Sequence, residues 1–250
     1  MGRLLIFFVL SSVALAGTTE DGIADARYRA YGETFRAHTC RLAGFNVEGN
    51  PQVGTCTLIA PEWALTAAHV VHDLTSAGVL TDAGYHRVDK IFVHADWADV
   101  FAENDIALVH VATPFKVNKF PPLTDGSEKL GSVVTAVGYG VTGKLSQGYT
   151  RGDAEIRAGT MRLTSAERKV YVCQIRHGGS PLPYCIAPGD SGGPLWGTAS
   201  DGRTVLIGVN SYTARAGKGP LRSRVGEESG HTRVDLYREW IAAVTGEPDL

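Results

Sequence analysis

The sequence predicts an all-β fold, a sandwich or a barrel, on three observations. Short apolar runs recur along the chain, bounded by Gly, Pro, Asn and Asp. Glycine makes up 30 of the 250 residues and is scattered rather than periodic, which favours turns and excludes a collagen-like repeat. Helical period shows clearly only near the carboxyl end. In chain order, strands are expected at Thr57–Ile59, Trp63–Thr66, Val88–Val93, Ile106–Val111, Ser132–Tyr139, Tyr171–Ile175 and Thr204–Tyr212. Between Thr113 and Gly126 lie Pro114, Pro121 and Pro122 and no periodicity, so this stretch reads as a connection between two halves. Tyr237, Trp240, Ile241 and Val244 then recur at i, i+3, i+4 and i+7, the face of a helix; Asp235 can cap its start, and Gly246 and Pro248 stop it. No internal repeat is present.

Composition narrows the function classes. With 24 Lys+Arg against 26 Asp+Glu the formal charge is −2, so a basic footprint for nucleic acid is not expected. The 44% hydrophobic content suffices for one or two packed cores. Four cysteines are too few for a disulfide-built miniprotein, and none is spaced as CxxC. The first residues read as a leader: Met1-Gly2-Arg3 is a short basic start, Leu4–Leu10 is apolar, and Ala14-Leu15-Ala16 fits a small-x-small cut after Ala16. Leu4 to Ala16 falls short of the ~18 residues a spanning helix needs. The expectation is a signal peptide at residues 1–16 and an exported, secreted chain with no membrane anchor, whose cysteines meet an oxidising compartment.

Three segments carry chemistry: Leu65-Thr66-Ala67-Ala68-His69, Asn104-Asp105-Ile106-Ala107-Leu108 and Gly189-Asp190-Ser191-Gly192-Gly193-Pro194. A serine hydroxyl is a weak nucleophile at neutral pH. It needs a base such as histidine, and the imidazole needs a carboxylate to fix its tautomer and stabilise its cation. A glycine-rich turn around the serine lets backbone N–H groups converge on the developing oxyanion. The order His, Asp, Ser differs from that of subtilisin-like and α/β-hydrolase enzymes.

Together these residues resemble the chymotrypsin/trypsin-like serine peptidase family, from about Phe35 to Val244. Gly138-Tyr139-Gly140 is similar to that family's Gly-Trp-Gly turn, and Ile207–Tyr212 to its substrate-flanking strand. The resemblance implies two antiparallel Greek-key six-stranded barrels and a carboxyl-terminal helix. It places a first barrel at about 35–118, a second at about 119–234 and the helix at about 235–245, within a peptidase domain of 35–246 that follows a segment, 17–34, open to processing. It implies Ser191 as nucleophile, His69 as general base then acid, Asp105 as orienting carboxylate and the N–H groups of Gly189 and Ser191 as oxyanion hole. Ser211 would bond near Asp105, and the Ser211, Tyr212 and Thr213 backbone would pair with an extended substrate. Cys185 would form the floor of the specificity pocket, with Thr213 and Ser229 as its walls. With no carboxylate from Cys185 to Pro188 and Thr213 adding bulk, a small or medium apolar side chain before the cut is expected. Asp201 and Glu227 are the acids that could enter the pocket. The implied protein is a monomer without cofactor or metal that acts on proteins or peptides and is open to protein inhibitors. A catalytically silent binding homologue and an esterase with the same triad are the alternatives.

The chain also departs from the family. The usual bridge beside the catalytic histidine is absent: Val70 follows His69, and Gly54 lies near the other position. Pairs Cys40–Cys56 and Cys173–Cys185 are expected instead, each closing a loop of roughly 15 residues, worth about 3 kcal/mol in the chain-entropy account. In the family a new amino-terminal Ile or Val pairs with the acid before the nucleophile, here Asp190. No Arg or Lys precedes an Ile-Val-Gly-Gly, Ile23 is a weak candidate behind Gly22, and the partner of Asp190 stays open. Other motifs read as structural. Gly138–Gly143 matches G-x-G-x-x-G but no helix follows it. Arg151-Gly152-Asp153 reads as a turn. Arg215, Lys218, Arg222 and Arg224 form a solvated loop followed by Glu227 and Glu228. His72, His94 and His110 lack metal-ligand spacing.

Overall fold

The computed structural model describes residues 17–98, 103–216, 219–248 and 250. The leader expected at 1–16 and Lys218 of the basic loop lie outside them. The described chain opens with β1 (Thr18–Thr19) and α1 (Asp25–Glu33). A closed barrel follows, made of β2 (Thr39–Asn46), β3 (Pro51–Ala60), β4 (Trp63–Thr66), β5 (Leu74–Thr81), β6 (Gly84–Val93) and β7 (Ala107–Val111), in the order β2-β3-β4-β7-β6-β5. All its pairings are antiparallel, and β5 closes the ring on β2. The short α2 (Ala68–Val71) leaves the end of β4.

After the connection come β8 (Val133–Gly138), β9 (Thr142–Lys144), β10 (Gly148–Arg151), β11 (Arg157–Arg162), β12 (Ser165–Glu167), β13 (Val170–Gln174) and β14 (Tyr184–Cys185). Then follow β15 (Pro194–Thr198), β16 (Thr204–Ala214), β17 (Glu228–Arg233), a 3-10 turn at Asp235–Tyr237 and α3 (Arg238–Thr245). The second barrel-like sheet has seven strands, β11-β8-β15-β16-β17-β13-β12, because the three-residue β12 adds an edge to six longer ones. A smaller sheet, β10-β9-β1-β14, ties the amino-terminal segment to this half.

Burial follows strand position. Residues 54–60 of β3 are buried without alternation. Their inward side chains fill the barrel; on the outer side, Thr55 receives Gly189 and Ser191 of the second half. Leu42, Leu58, Leu65, Val79, Leu108 and Val109 fill the first core, which continues through Val137, Trp196 and Val209 to Ile241 of α3. A second core gathers Val134, Met161, Leu163, Tyr184, Leu195 and Ile207.

One expectation is corrected. Asp235 does not cap α3; its carboxylate takes the Arg233 guanidinium at 2.5 and 3.0 Å, and the 3-10 turn leads into the helix without a side-chain cap. Gly246, left-handed at φ 74°, ends the helix as its position suggested. All four cysteines, Cys40, Cys56, Cys173 and Cys185, are buried, with free thiols in this structure. Cys40 does face Cys56 directly across β2 and β3. Cys173 sits opposite Ser229, whereas Cys185 pairs with Thr18 in another sheet. Burial pushes the Cys40 thiol up to about 12 and the other three well above the ordinary value.

Candidate active site

Asp105 is positioned by the residue before it. Asn104 has left-handed backbone, φ 53°, which asparagine tolerates better than other side-chain-bearing residues. Its amide donates to Asp96 O at 2.9 Å and accepts from Lys169 Nζ at 2.6 Å and Tyr237 Oη at 3.0 Å. Asp105 therefore projects from a pinned turn at the start of β7, its own carbonyl held by Thr232 Oγ1 of the second half at 2.9 Å.

The carboxylate clamps His69 twice. Oδ1 accepts the His69 backbone N–H at 2.9 Å, and Oδ2 lies 2.7 Å from Nδ1. Ser211 Oγ donates to the same Oδ2 at 2.5 Å. Nδ1 thus carries the proton toward the acid, which leaves Nε2 as the base. Asp105 is buried and His69 half-buried. Burial pushes the Asp105 carboxyl up, but the bonds and charge of His69, with the Ser211 hydroxyl, outweigh this and hold it below the ordinary value.

Ser191 sits on a turn made by two left-handed glycines, Gly189 at φ 93° and Gly192 at φ 82°. A Cβ on Gly192 would lie 2.1 Å from Thr66 Oγ1, so the turn packs directly on the segment that carries His69. Thr55 fastens it from the first barrel: its N–H donates to Ser191 O at 2.9 Å and its hydroxyl to Gly189 O at 2.8 Å. Within the turn, the N–H groups of Asp190, Gly192 and Gly193 donate to Ala187 O, Asn210 O and Asp190 O. Those of Gly189 and Ser191 donate to no group among the described residues. Nor does a hydrogen bond join Ser191 Oγ to His69 among the described residues; such bonds are often long in unliganded sites and shorten on substrate.

This constellation, a histidine held by an acid of one barrel beside a glycine-bracketed serine of the other, stands within residues 32–241, which match the Trypsin family. The chain belongs to the Trypsin family. It is 27% identical to brachyurin of Leptuca pugilator over 76% of this chain and 86% of that one. It is 29% identical to chymotrypsin-C of Rattus norvegicus over 75% and 76% of the two chains. Chymotrypsin-like elastase family member 1 of Macaca fascicularis is 26% identical over 95% and 97%. Among solved structures, neuropsin, a serine protease expressed in the limbic system of mouse brain, shares the fold at TM-score 0.65 and 17% identity, covering 84% of this chain and 95% of that one. No helix among the described residues of this Trypsin-family chain is long and apolar enough to cross a membrane.

The residues expected at the specificity pocket are not all exposed to it. Thr213 of β16 lies opposite Ser229 of β17. Ser229 is fully buried and contacts Met161 Sδ at 3.2 Å and His231 Nε2 at 3.0 Å. Cys185 is likewise buried. Tyr212 lies against Gly230, where a Cβ would come within 2.0 Å of its ring. Glu227 is buried and its carboxylate accepts the N–H groups of Arg222, Ser223 and Arg224, with Arg224 Nε at 3.7 Å. Asp201 pairs with Arg203 at the far end of the β15–β16 hairpin. Both acids thus have partners within the fold. An open groove of about 430 Å³ is lined instead by Leu145, His177, Arg215 and Glu227.

Sequence reasoning missed His231 and Gly17. The His231 ring is fully buried between Ser229 and Asn210 Oδ1, the latter at 2.9 Å. Gly17 N–H donates to Asp190 Oδ2 at 2.9 Å, a place for which Ile23 was the candidate. Ile23 instead donates to Glu20 O in a turn. Gly17 directly follows the expected leader cut, but it is not the Ile or Val that the family resemblance implies beside this acid. Asp153 of the Arg-Gly-Asp tripeptide binds Arg157 at 2.6 and 2.7 Å, a structural pairing.

Proposed function

We propose that the chain is a secreted serine endopeptidase that cleaves peptide bonds through an acyl-enzyme. The observation that carries this reading is the double clamp of Asp105 on His69, which leaves Nε2 as the base. His69 removes the Ser191 proton as Oγ attacks the substrate carbonyl. The unused N–H groups of Gly189 and Ser191 stabilise the oxyanion. The imidazolium then protonates the leaving amine, and water repeats the sequence on the ester. Tyr212 and Thr213 offer backbone beside the extended substrate. With Glu227 held by backbone donors and no carboxylate from Cys185 to Pro188, Ala or Val is preferred before the cut over Phe, Arg or Lys.

The test is labelling by a fluorophosphonate together with a peptide library. Wild type labels at Ser191 and cleaves after small apolar residues, while Ser191→Ala folds normally and loses ~10⁴-fold or more in kcat. Absence of labelling would favour the silent homologue, ester-only turnover the esterase, and a dominant Arg/Lys preference would refute the pocket reading.

A further inference from the structure

Asp190 is an uncompensated buried acid in the uncut chain. It is fully buried next to the nucleophile. Oδ1 accepts Gly140 N–H at 2.7 Å; Oδ2 accepts the N–H groups of Gly17 and Ala187 at 2.9 Å each and the Tyr184 hydroxyl at 3.3 Å. None of these partners carries a positive charge while Gly17 is joined to Ala16. A carboxylate in such a place needs a cation or stays neutral.

The surroundings of Gly17 are built to hold a chain end there. A Cβ on Gly17 would lie 2.2 Å from Tyr184 Cζ, so the position takes glycine and rejects a larger side chain. Its carbonyl accepts Thr142 Oγ1 at 3.0 Å. The next two residues form β1, pairing with β14 on one side and β9 on the other. Lys144 Nζ then holds Thr19 Oγ1 and the carbonyls of Glu20 and Ile23 at 3.2–3.3 Å. The segment is therefore tied in place from Gly17 onward, and the residue at the acid is the one that follows the small-x-small cleavage signal.

We propose that removal of the leader is itself the activating cut, so that the exported chain needs no further processing. This rests on the reading of the site as a peptidase. Water, delivered by a leader-removing peptidase, adds across the Ala16–Gly17 amide. The Ala16 carbonyl carbon keeps the hydroxyl oxygen and leaves as a carboxylate; the nitrogen stays on Gly17 and takes up protons to become an ammonium. That ammonium replaces one neutral N–H at Asp190 Oδ2 with three donors and a charge. The ion pair fixes the Ala187–Ser191 turn and so the orientation of the Gly189 and Ser191 N–H groups. A chain still bearing its leader lacks the pair, which keeps the site weak until export.

The experiment compares chains beginning at Gly17, chains beginning at Leu15, and each with Asp190→Asn. Amino-terminal sequencing of the exported protein is expected to give Gly17-Thr18-Thr19. The Leu15 start folds but loses ~100-fold or more in kcat/KM on a peptide substrate. Asp190→Asn in the Gly17 chain causes a comparable loss, and adding Leu15-Ala16 to that variant costs nothing more. An ¹⁵N-labelled Gly17 amine titrates well above the usual ~8 for a chain end. This readout does not depend on turnover: if no form labels with fluorophosphonate, the peptidase reading fails and the titration alone judges the pairing. Equal activity of the Gly17 and Leu15 starts, a mature terminus elsewhere, or an ordinary amine titration would each overturn the proposal.

Discussion

Asp190 and His231 are both fully buried and respond to pH in opposite senses. Burial pushes the Asp190 carboxyl up to about 6 despite its backbone donors, and pushes the His231 imidazole down to about 3. Below its unfolded value near 3.8, neutral Asp190 adds its full share of stability; that share is lost as pH rises through about 6, roughly 3 kcal/mol in all. His231 is a base with a depressed value, so the unfolded chain binds the extra proton. Its share is complete above 6.5 and is lost as pH falls toward 3, roughly 5 kcal/mol. Urea unfolding of the Gly17-start protein, where the ammonium removes the Asp190 penalty, should therefore show stability falling from pH 6.5 to pH 4. His231→Gln should flatten that arm, and an unchanged slope would mean that His231 is not the controlling group. The clamp of Asp105 on His69 and the Ser191 turn were legible in the sequence because each residue lies in a contiguous motif. His231 was not, because a lone histidine between Gly230 and Thr232 shows its burial only once β16 and β17 pair.

At the scale of elements, the Ser191 turn depends on a close approach that only glycine permits. Gly192 combines a left-handed backbone with a Cβ position 2.1 Å from Thr66 Oγ1 and 2.3 Å from Thr55 O. Gly192→Ala should displace the turn from β3 and β4 and cut the fluorophosphonate labelling rate by ~100-fold, more than it lowers Tm. Gly202→Ala supplies the control: its φ is 85° but nothing lies within 4 Å. It should cost about 1 kcal/mol of backbone strain and leave labelling unchanged. Equal effects on labelling would show that strain, not the approach, matters at Gly192. The strands read from the sequence were those with dense apolar runs, such as β4, β7 and the centre of β16. Strands β2, β5, β11 and β15 break their apolar residues with Arg, Gly, Ser or Thr, so no continuous apolar run marks them. Helix α1 was unread for a similar reason: only Tyr28 and Gly32 are buried, and Gly32 is there because a Cβ would come within 2.9 Å of Arg157 Cα.

For the whole molecule, the two halves share one apolar core and are pinned across it by polar groups. Tyr139 Oη donates to Thr39 O at 3.1 Å across the halves, alongside the bonds of Thr55 and Thr232. The amino-terminal segment hangs on Arg157 of β11, whose side chain is only 1% exposed. Its guanidinium is forked between Asp25 at the start of α1, at 2.6 and 2.8 Å, and Asp153, at 2.6 and 2.7 Å. One cation thus joins α1 to the β10–β11 loop and indirectly fixes β1, which ends at Thr19, shortly before Asp25. Arg157→Met keeps the volume and removes the charge. Both acids keep more than a third of their surface in water, so they rehydrate, and the cost is about 2 kcal/mol rather than the 3–5 of a sealed pair. If α1 is the anchor of the terminus, that loss does not stay local. Hydrogen exchange should quicken at Tyr28–Gly32 and at Thr18–Thr19 while Leu65 and Leu108 in the first barrel keep their protection. Activity should fall together with protection at Thr18–Thr19, since the Gly17 nitrogen is then held less often at Asp190. Fast exchange confined to α1, with Thr18–Thr19 and activity unchanged, would mean that β1 holds the terminus by its own pairing with β9 and β14.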